Sequence, residues 1–319
     1  FIVYDYLAEI TMSILARART KDSKHGYAID FVTSVMKMNL RQISDQKVKI
    51  ISNAGGVNPE ACADAIRDLI NEQGLNLKVA VVVGDDLLEN KSNIFNSDIS
   101  EMFTGDKLPD QNNIVSINAY LGAFPIAEAL RHGADIVITG RCVDSAVTLG
   151  ACIYSFDWKE EDWNHLSGGS LAGHIIECGT QSTGGNFTDW ELISDQIDTM
   201  GYPIVEIFKD SSFNCMKSNN TGGLVSVGTI SEQLVYEIGD PQAYILPDVV
   251  CDFSQVKISQ INKDTVKVSG AIGYPSTNQY KVSMTYMDGF RGGHLMSFVG
   301  IDAGKKAKAY GEAIFKRSR

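Results

Sequence analysis

The sequence is short of positive charge. It carries 39 aspartates and glutamates against 28 lysines and arginines, a formal net charge of −11. Phosphate backbones are bound by clustered cations, so no nucleic-acid partner is expected. The clear basic clusters come late, at Lys305-Lys306 with Lys308 and at Lys316-Arg317-Ser318-Arg319, and read as a solvated helix face. Long apolar runs are also missing. None approaches the roughly 20 residues of a membrane span, and no signal peptide is visible, so no membrane partner is expected. Phe1-Ile2-Val3-Tyr4 reads as an interior strand, however, so a preceding strand and helix are expected, and a targeting peptide would lie ahead of them. Six cysteines (Cys62, Cys142, Cys152, Cys178, Cys215 and Cys251) form no CxxC pair and no zinc-ligand spacing. Scattered thiols in apolar surroundings suit a reducing compartment, the cytoplasm first and an organellar matrix second. Walker A, GxGxxG, internal repeats and low-complexity tracts are all absent.

What is present suits a globular protein. The 319 residues are 44% hydrophobic and 21% charged, enough for a substantial core and two domains. Short apolar runs alternate with helical patterns in the first half. Strands are expected at 1–4, 48–52, 79–83 and 135–139, and helices at 7–19, 58–73, 126–132 and 144–154. Asn58 is the expected N-cap, with Pro59 at the first helical position. Such alternation predicts an α/β fold, a mostly parallel sheet with helices on both faces. A doubly wound sheet is the first choice and an irregular barrel the alternative. A smaller β-rich α+β domain is expected after a boundary near residue 189, with strands at 225–229, 249–253, 256–258, 265–268 and 281–286. A final helix is expected from Gly304, cut short at the end of the sequence.

Ligands gather at the carboxyl ends of parallel strands. Four such ends carry polar residues: Asp5; Asn53-Ala54-Gly55-Gly56; Asp85-Asp86; and Arg141 with Asp144. Asn53, Gly55 and Gly56 open a helix and can cradle an anion, or form a plain βα turn. Asp85 can ligate a divalent cation or act as an acid–base group, with Asp86 as a helix cap. Arg141 can clamp a carboxylate or phosphate, or pair internally with Asp144. The richest segment runs from Gly173 to Gly185. It holds His174, Glu177 and Cys178, then a glycine- and hydroxyl-rich loop with Thr183 and Gly184. On a helix His174 can touch Glu177 or Cys178. Acid–base work, a metal site completed by other ligands, a cysteine nucleophile, and a buried structural histidine remain open, in that order of preference among the active roles. His25, His132, His165 and His294 read as structural or surface residues.

Read in order, these segments resemble the acyclic terpene utilisation family, the AtuA-like proteins. The matching stretches are 4–9, Asn53 to Pro59, Val83 to Leu87, Asn118 to Ala123 with Tyr120, Gly133 to Arg141 with Asp144-Ser145, the His174 to Gly185 loop, Gly222 to Val225, Glu237 to Pro241 and Tyr244 to Val249. The resemblance implies catabolism of branched acyl-CoA thioesters or hydroxy and carboxylic acids by a lyase or hydratase, with CoA as part of the substrate. It also implies a small partner subunit or fused domain. The residue assignments drawn from the sequence are His174, Glu177 and Cys178 as catalytic groups. Asp5, Asn53, Gly55, Gly56, Tyr120, Arg141, Asp144, Thr183 and Gly184 are assigned to substrate, and Asp85 to a metal. A non-catalytic ligand-binding subunit and a metal-dependent hydrolase using Asp85, His174 and Glu177 are the alternatives. A homo-oligomer is expected.

Overall fold

A computed structural model describes residues 1–290 and 292–318. The chain divides into two compact units, Phe1–Tyr286 and Met287–Arg319, so the change of character expected near residue 189 falls inside the first.

The first unit opens with β1 (Ile2–Tyr4), α1 (Glu9–Lys21), a π-helical stretch Phe31–Met36 continuing into α2 (Lys37–Gln46), β2 (Ile50–Ser52), α3 (Pro59–Glu72) and β3 (Val79–Val82). It continues with α4 (Lys91–Phe95), β4 (Ile114–Ala119), α5 (Phe124–Arg131), β5 (Ile136–Thr139), α6 (Ala146–Phe156) and α7 (Trp163–Glu177). Four strands make an open parallel sheet in the order β1-β2-β5-β3, the α/β arrangement expected. Alternation assigns side chains to two faces. Ile50, Ile136 and Ile138 pack with Phe31, Met36, Leu40 and Ile66 on one face. Ile51 and Val137 pack with Ile126, Leu130, Leu149 and Ile175 on the other. Asn58 caps α3 by accepting from the Ala61 amide, with Pro59 first in the helix, as the sequence predicted.

The rest of this unit is antiparallel. It contains β6 (Pro203–Ile207), β7 (Phe213–Lys217), α8 (Val227–Val235), β8 (Tyr244–Ile245), β9 (Val250–Asp252), β10 (Lys257–Asn262), β11 (Thr265–Ser269), β12 (Ile272–Tyr274) and β13 (Val282–Tyr286). The sheets run β10-β11-β7-β6, β12-β9-β8 and β13-β4. Asn262 to Asp264 turns the β10–β11 hairpin, with Asp264 at φ +54°. The strand expected at 225–229 is instead the start of α8. Ser226 and Thr229 form a reciprocal capping box, and the buried pair Ile230 and Leu234 follows at helical spacing. Local capping thus overrides the β-branched composition. Buried residues of these sheets, such as Phe213, Cys215, Cys251 and Val266, join the same core as α5, α6 and α7.

In the second unit, α9 (Ala303–Arg317) has no buried residue. Among the described residues, no helix is long and apolar enough to cross a membrane.

Candidate active site

Parallel register aligns the ends of β1, β2 and β5, and the residues beyond them start the site. Asn53, fully buried after β2, reaches across to the end of β1. Its Nδ2 donates to Asp5 Oδ1 at 2.5 Å, and its Oδ1 accepts from the Tyr6 amide at 2.7 Å. After β5 the chain passes Gly140, whose α-carbon lies so close to the Asp85 carboxylate that a β-carbon would meet it at 2.4 Å. Asp85 accepts from the Arg141 amide and from Asn118 Nδ2, both at 2.8 Å. Arg141 then buries its side chain, 2% exposed, and one guanidinium nitrogen reaches Asp144 Oδ1 at 2.7 Å. Its guanidinium carbon lies 4.0 Å from the centre of the Tyr120 ring.

The third contributor is α7, which carries Gly168, Gly169 and Gly173 on surfaces packed against neighbours. A β-carbon on Gly173 would sit 2.8 Å from the Ser145 backbone. That missing side chain lets α7 press against the start of α6, beside Asp144. The next residue, His174, brings its Nδ1 to 2.8 Å from Oε1 of Glu177 about one turn on, with both side chains at or below 9% exposure. The His174 carbonyl accepts from Gln233 Nε2, and its ring lies 6.1 Å from that of Tyr244.

Asp5, Asp144, Glu177 and Cys178 line one cavity of about 1090 Å³. Val147, Ala151, Ile176, Ile204, Val205 and Ile207 give it apolar walls. The electrostatics follow from burying acids close together. Burial, then the nearby Asp144 and Glu177, push the Asp5 carboxyl up to about 7 despite the bond from Asn53. Burial also raises Glu177, against the pull of His174. For His174, burial favours the neutral ring, but the Glu177 bond and charge outweigh it and raise its proton affinity. Carbonyls of Gln233 and Leu234 assist, although Nε2 reaches no partner at hydrogen-bonding geometry. One proton shared between Nδ1 and Oε1 satisfies both directions. Burial lifts the Cys178 thiol to about 11. For Arg141, burial disfavours the charge, but Asp144 and Tyr120 more than compensate.

Gly55, Gly56, Thr183, Gly184 and Asp86, also singled out from the sequence, are not among the residues that line this cavity. Gly55 packs against the Thr139 carbonyl and Pro59, and Gly56 at φ +57° packs against Leu15. The amides of Gly56, Val57 and Asn58 are engaged by the carbonyls of Asn53, Gly26 and Gly55. Thr183 is buried and donates to the Gly201 carbonyl, while Gly184 turns the chain at φ +107°. Asp86 pairs with Arg19 and accepts from the Leu88 amide. Among the described residues no three His, Cys, Asp or Glu side chains converge to hold a metal, so Asp85, His174 and Glu177 do not share a centre.

Sequence reasoning passed over Glu9 and Lys281, which flank Tyr120, and Tyr244 beside His174. Glu9 and Tyr244 lie in quoted family segments but carry no catalytic spacing of their own. Lys281 is brought to Tyr120 only by the pairing of β13 with β4.

The whole chain, residues 1–319, matches the model of the acyclic terpene utilisation family protein AtuA, and the protein belongs to that family. No curated protein and no solved structure matches it.

Proposed function

We propose that the protein is an acid–base catalyst of the lyase or hydratase type acting on a branched acyl group, as a thioester or as a hydroxy or carboxylic acid. The observation that carries this reading is the grouping of Asp5, Asp144 and Glu177 on one part-apolar cavity, where burial and the neighbouring acids push the Asp5 carboxyl up to about 7. A group that gains and loses its proton near neutral pH can take one from carbon and return one to oxygen. Asp5 is the proposed base and acid. Glu177, kept proton-rich by burial and backed by His174, donates to the carbonyl oxygen as negative charge develops there. Arg141 is committed to Asp144 and fixes the charge pattern rather than clamping the substrate. The aliphatic walls suit branched hydrocarbon, which agrees with a family named for acyclic terpene utilisation.

The test is solvent deuterium exchange at the carbon next to the carbonyl, followed by NMR with methyl-branched 3-hydroxyacyl-CoA thioesters and the corresponding free acids. The wild type is expected to exchange at least one class, and Asp5→Asn and Glu177→Gln to lose that exchange. Equal exchange in wild type and Asp5→Asn, or none with either class, overturns the reading.

A second reading, a ligand-binding subunit working with a small partner protein or in a homo-oligomer, is favoured by exposed apolar residues on the antiparallel strands. Ile204, Ile245, Ile261 and Tyr274 are each at least 45% exposed. Activity that appears only on addition of a copurifying partner supports that alternative.

A further inference from the structure

Tyr120 has an unusual set of neighbours for a buried phenol. It follows β4, and the amides of Leu121 and Val143 exchange hydrogen bonds with the carbonyls of Arg141 and Leu121. That stitching holds the turn after β4 beside the turn after β5. The Tyr120 ring therefore meets the Arg141 guanidinium at 4.0 Å, and Lys281 Nζ lies 4.7 Å from the same centroid. Its hydroxyl donates to Glu9 Oε1 at 2.5 Å, and Glu9 in turn pairs with Lys281 at 3.3 Å. Three separate elements, α1 through Glu9, the turn after β5 through Arg141 and the lead into β13 through Lys281, thus grip one ring.

We infer that Tyr120, fixed by Glu9 and Lys281, is the positioning residue that holds Arg141 against Asp144 at the cavity wall. The inference rests on the acid–base reading for its catalytic meaning. A cation over an aromatic face is attracted most strongly when desolvated, and Arg141 is 2% exposed. Its Nε has no partner, so the hold on the guanidinium comes from Asp144, the Cys142 carbonyl and the ring. A loosened Arg141 withdraws positive charge from the acid cluster, and less positive charge means tighter proton binding there. The groups that set the cluster are Asp5, Asp144 and Glu177 facing one another, Arg141 on Asp144, His174 on Glu177, and Tyr244, Glu237 and Cys178 around Glu177.

The experiment is a carboxyl ¹³C NMR titration of aspartate-labelled protein without substrate, with the Asp5 signal assigned through Asp5→Asn. Tyr120→Phe keeps the aromatic face but loses the bond to Glu9, and is expected to raise the Asp5 midpoint by less than the two variants that remove the face. Tyr120→Leu and Tyr120→Met remove the face and are expected to raise it by roughly half a unit or more. Arg141→Met is expected to raise it further. An unchanged midpoint in the leucine and methionine variants, with a shift in Arg141→Met, reduces Tyr120 to packing and overturns the inference, as does no shift in Arg141→Met. Wild-type protein supplies a check that needs no variant. The Arg141 Nε–H must exchange slowly with solvent, and fast exchange also overturns the inference. No titration readout depends on turnover, so a failure of the catalytic reading is seen separately, in the deuterium-exchange assay.

Discussion

Replacing Asp5 with asparagine should stabilise the fold at alkaline pH. Burial, with Asp144 and Glu177 nearby, pushes the carboxyl from its ordinary 3.8 up to about 7 in the folded chain, a difference of about three. A raised acid binds its proton more tightly in the folded state. Its contribution to stability is therefore fully present below about pH 4 and is lost as pH rises through about 7. At 1.36 kcal/mol per unit the ceiling is about 4 kcal/mol. Asp5 is part-exposed to the cavity and shares its titration with Asp144 and Glu177, which reduces this to about 2–3 kcal/mol. Asparagine keeps an oxygen to accept from Asn53 Nδ2 and carries no charge to desolvate. Urea unfolding of wild type and Asp5→Asn between pH 4 and pH 8.5 measures the effect. With m near roughly 3 kcal/mol/M, the variant's midpoint should be higher by about 1 M at pH 8.5 and nearly equal at pH 4. A variant no more stable than wild type at pH 8.5, or a gain independent of pH, refutes the argument that Asp5 is a strained acid.

Three further outcomes follow from the same geometry. His174→Ala leaves the buried, proton-rich Glu177 carboxyl unpartnered beside a cavity and should cost about 2–4 kcal/mol in urea unfolding, whereas Glu177→Gln, which can still bond Nδ1, should cost far less while losing deuterium exchange. The Cys178 thiol, lifted to about 11, should react with iodoacetamide at pH 7.5 at least roughly tenfold more slowly than a free cysteine, and Cys178→Ala should keep any turnover. Gly173→Ala drives a β-carbon into the Ser145 backbone and should cost about 1–3 kcal/mol, while Gly304→Ala on exposed α9 meets nothing within 4 Å and should be neutral or slightly stabilising in thermal melts.

The parallel sheet was readable because its strands are short apolar runs ending at polar residues, and because Asn58-Pro59 marks a helix start in any context. The family was readable from segments matching in order. Capping hid the start of α8, since Ser226 and Thr229 bond reciprocally within a run that otherwise reads as strand. The site was legible in part. Asp5, Asp144, Glu177 and Cys178 were named from strand ends and from one ionisable cluster, and they line one cavity. Their division of labour was not legible. Which carboxyl is raised depends on Asp144 and Glu177 approaching Asp5 from residues 139 and 172 positions away, and sequence spacing carries no such distance. The glycines at 55 and 56 looked like an anion cradle because their pattern is local, but whether amides are free is decided by distant partners such as the Gly26 carbonyl.

The acid–base role proposed for this corner draws support from the existence of a more stable alternative for it. Asp5 accepts from Asn53 Nδ2 and from the Leu7 amide, and an asparagine oxygen could accept both. The bond from Asn53 lowers the Asp5 titration point, but burial and two neighbouring acids raise it further, so the folded chain carries a strained acid where an amide would suffice. Glu177 presents the same problem beside His174, whose buried Nε2 lacks a partner. Arg141, whose Nε is likewise orphaned, is held close by an aromatic ring and one carboxylate. The two raised carboxyls are hard to explain as packing, because asparagine and glutamine are neutral substitutes of similar shape. They are accounted for together if the protons themselves are used, with Asp5 exchanging one near neutral pH and Glu177 keeping one to donate.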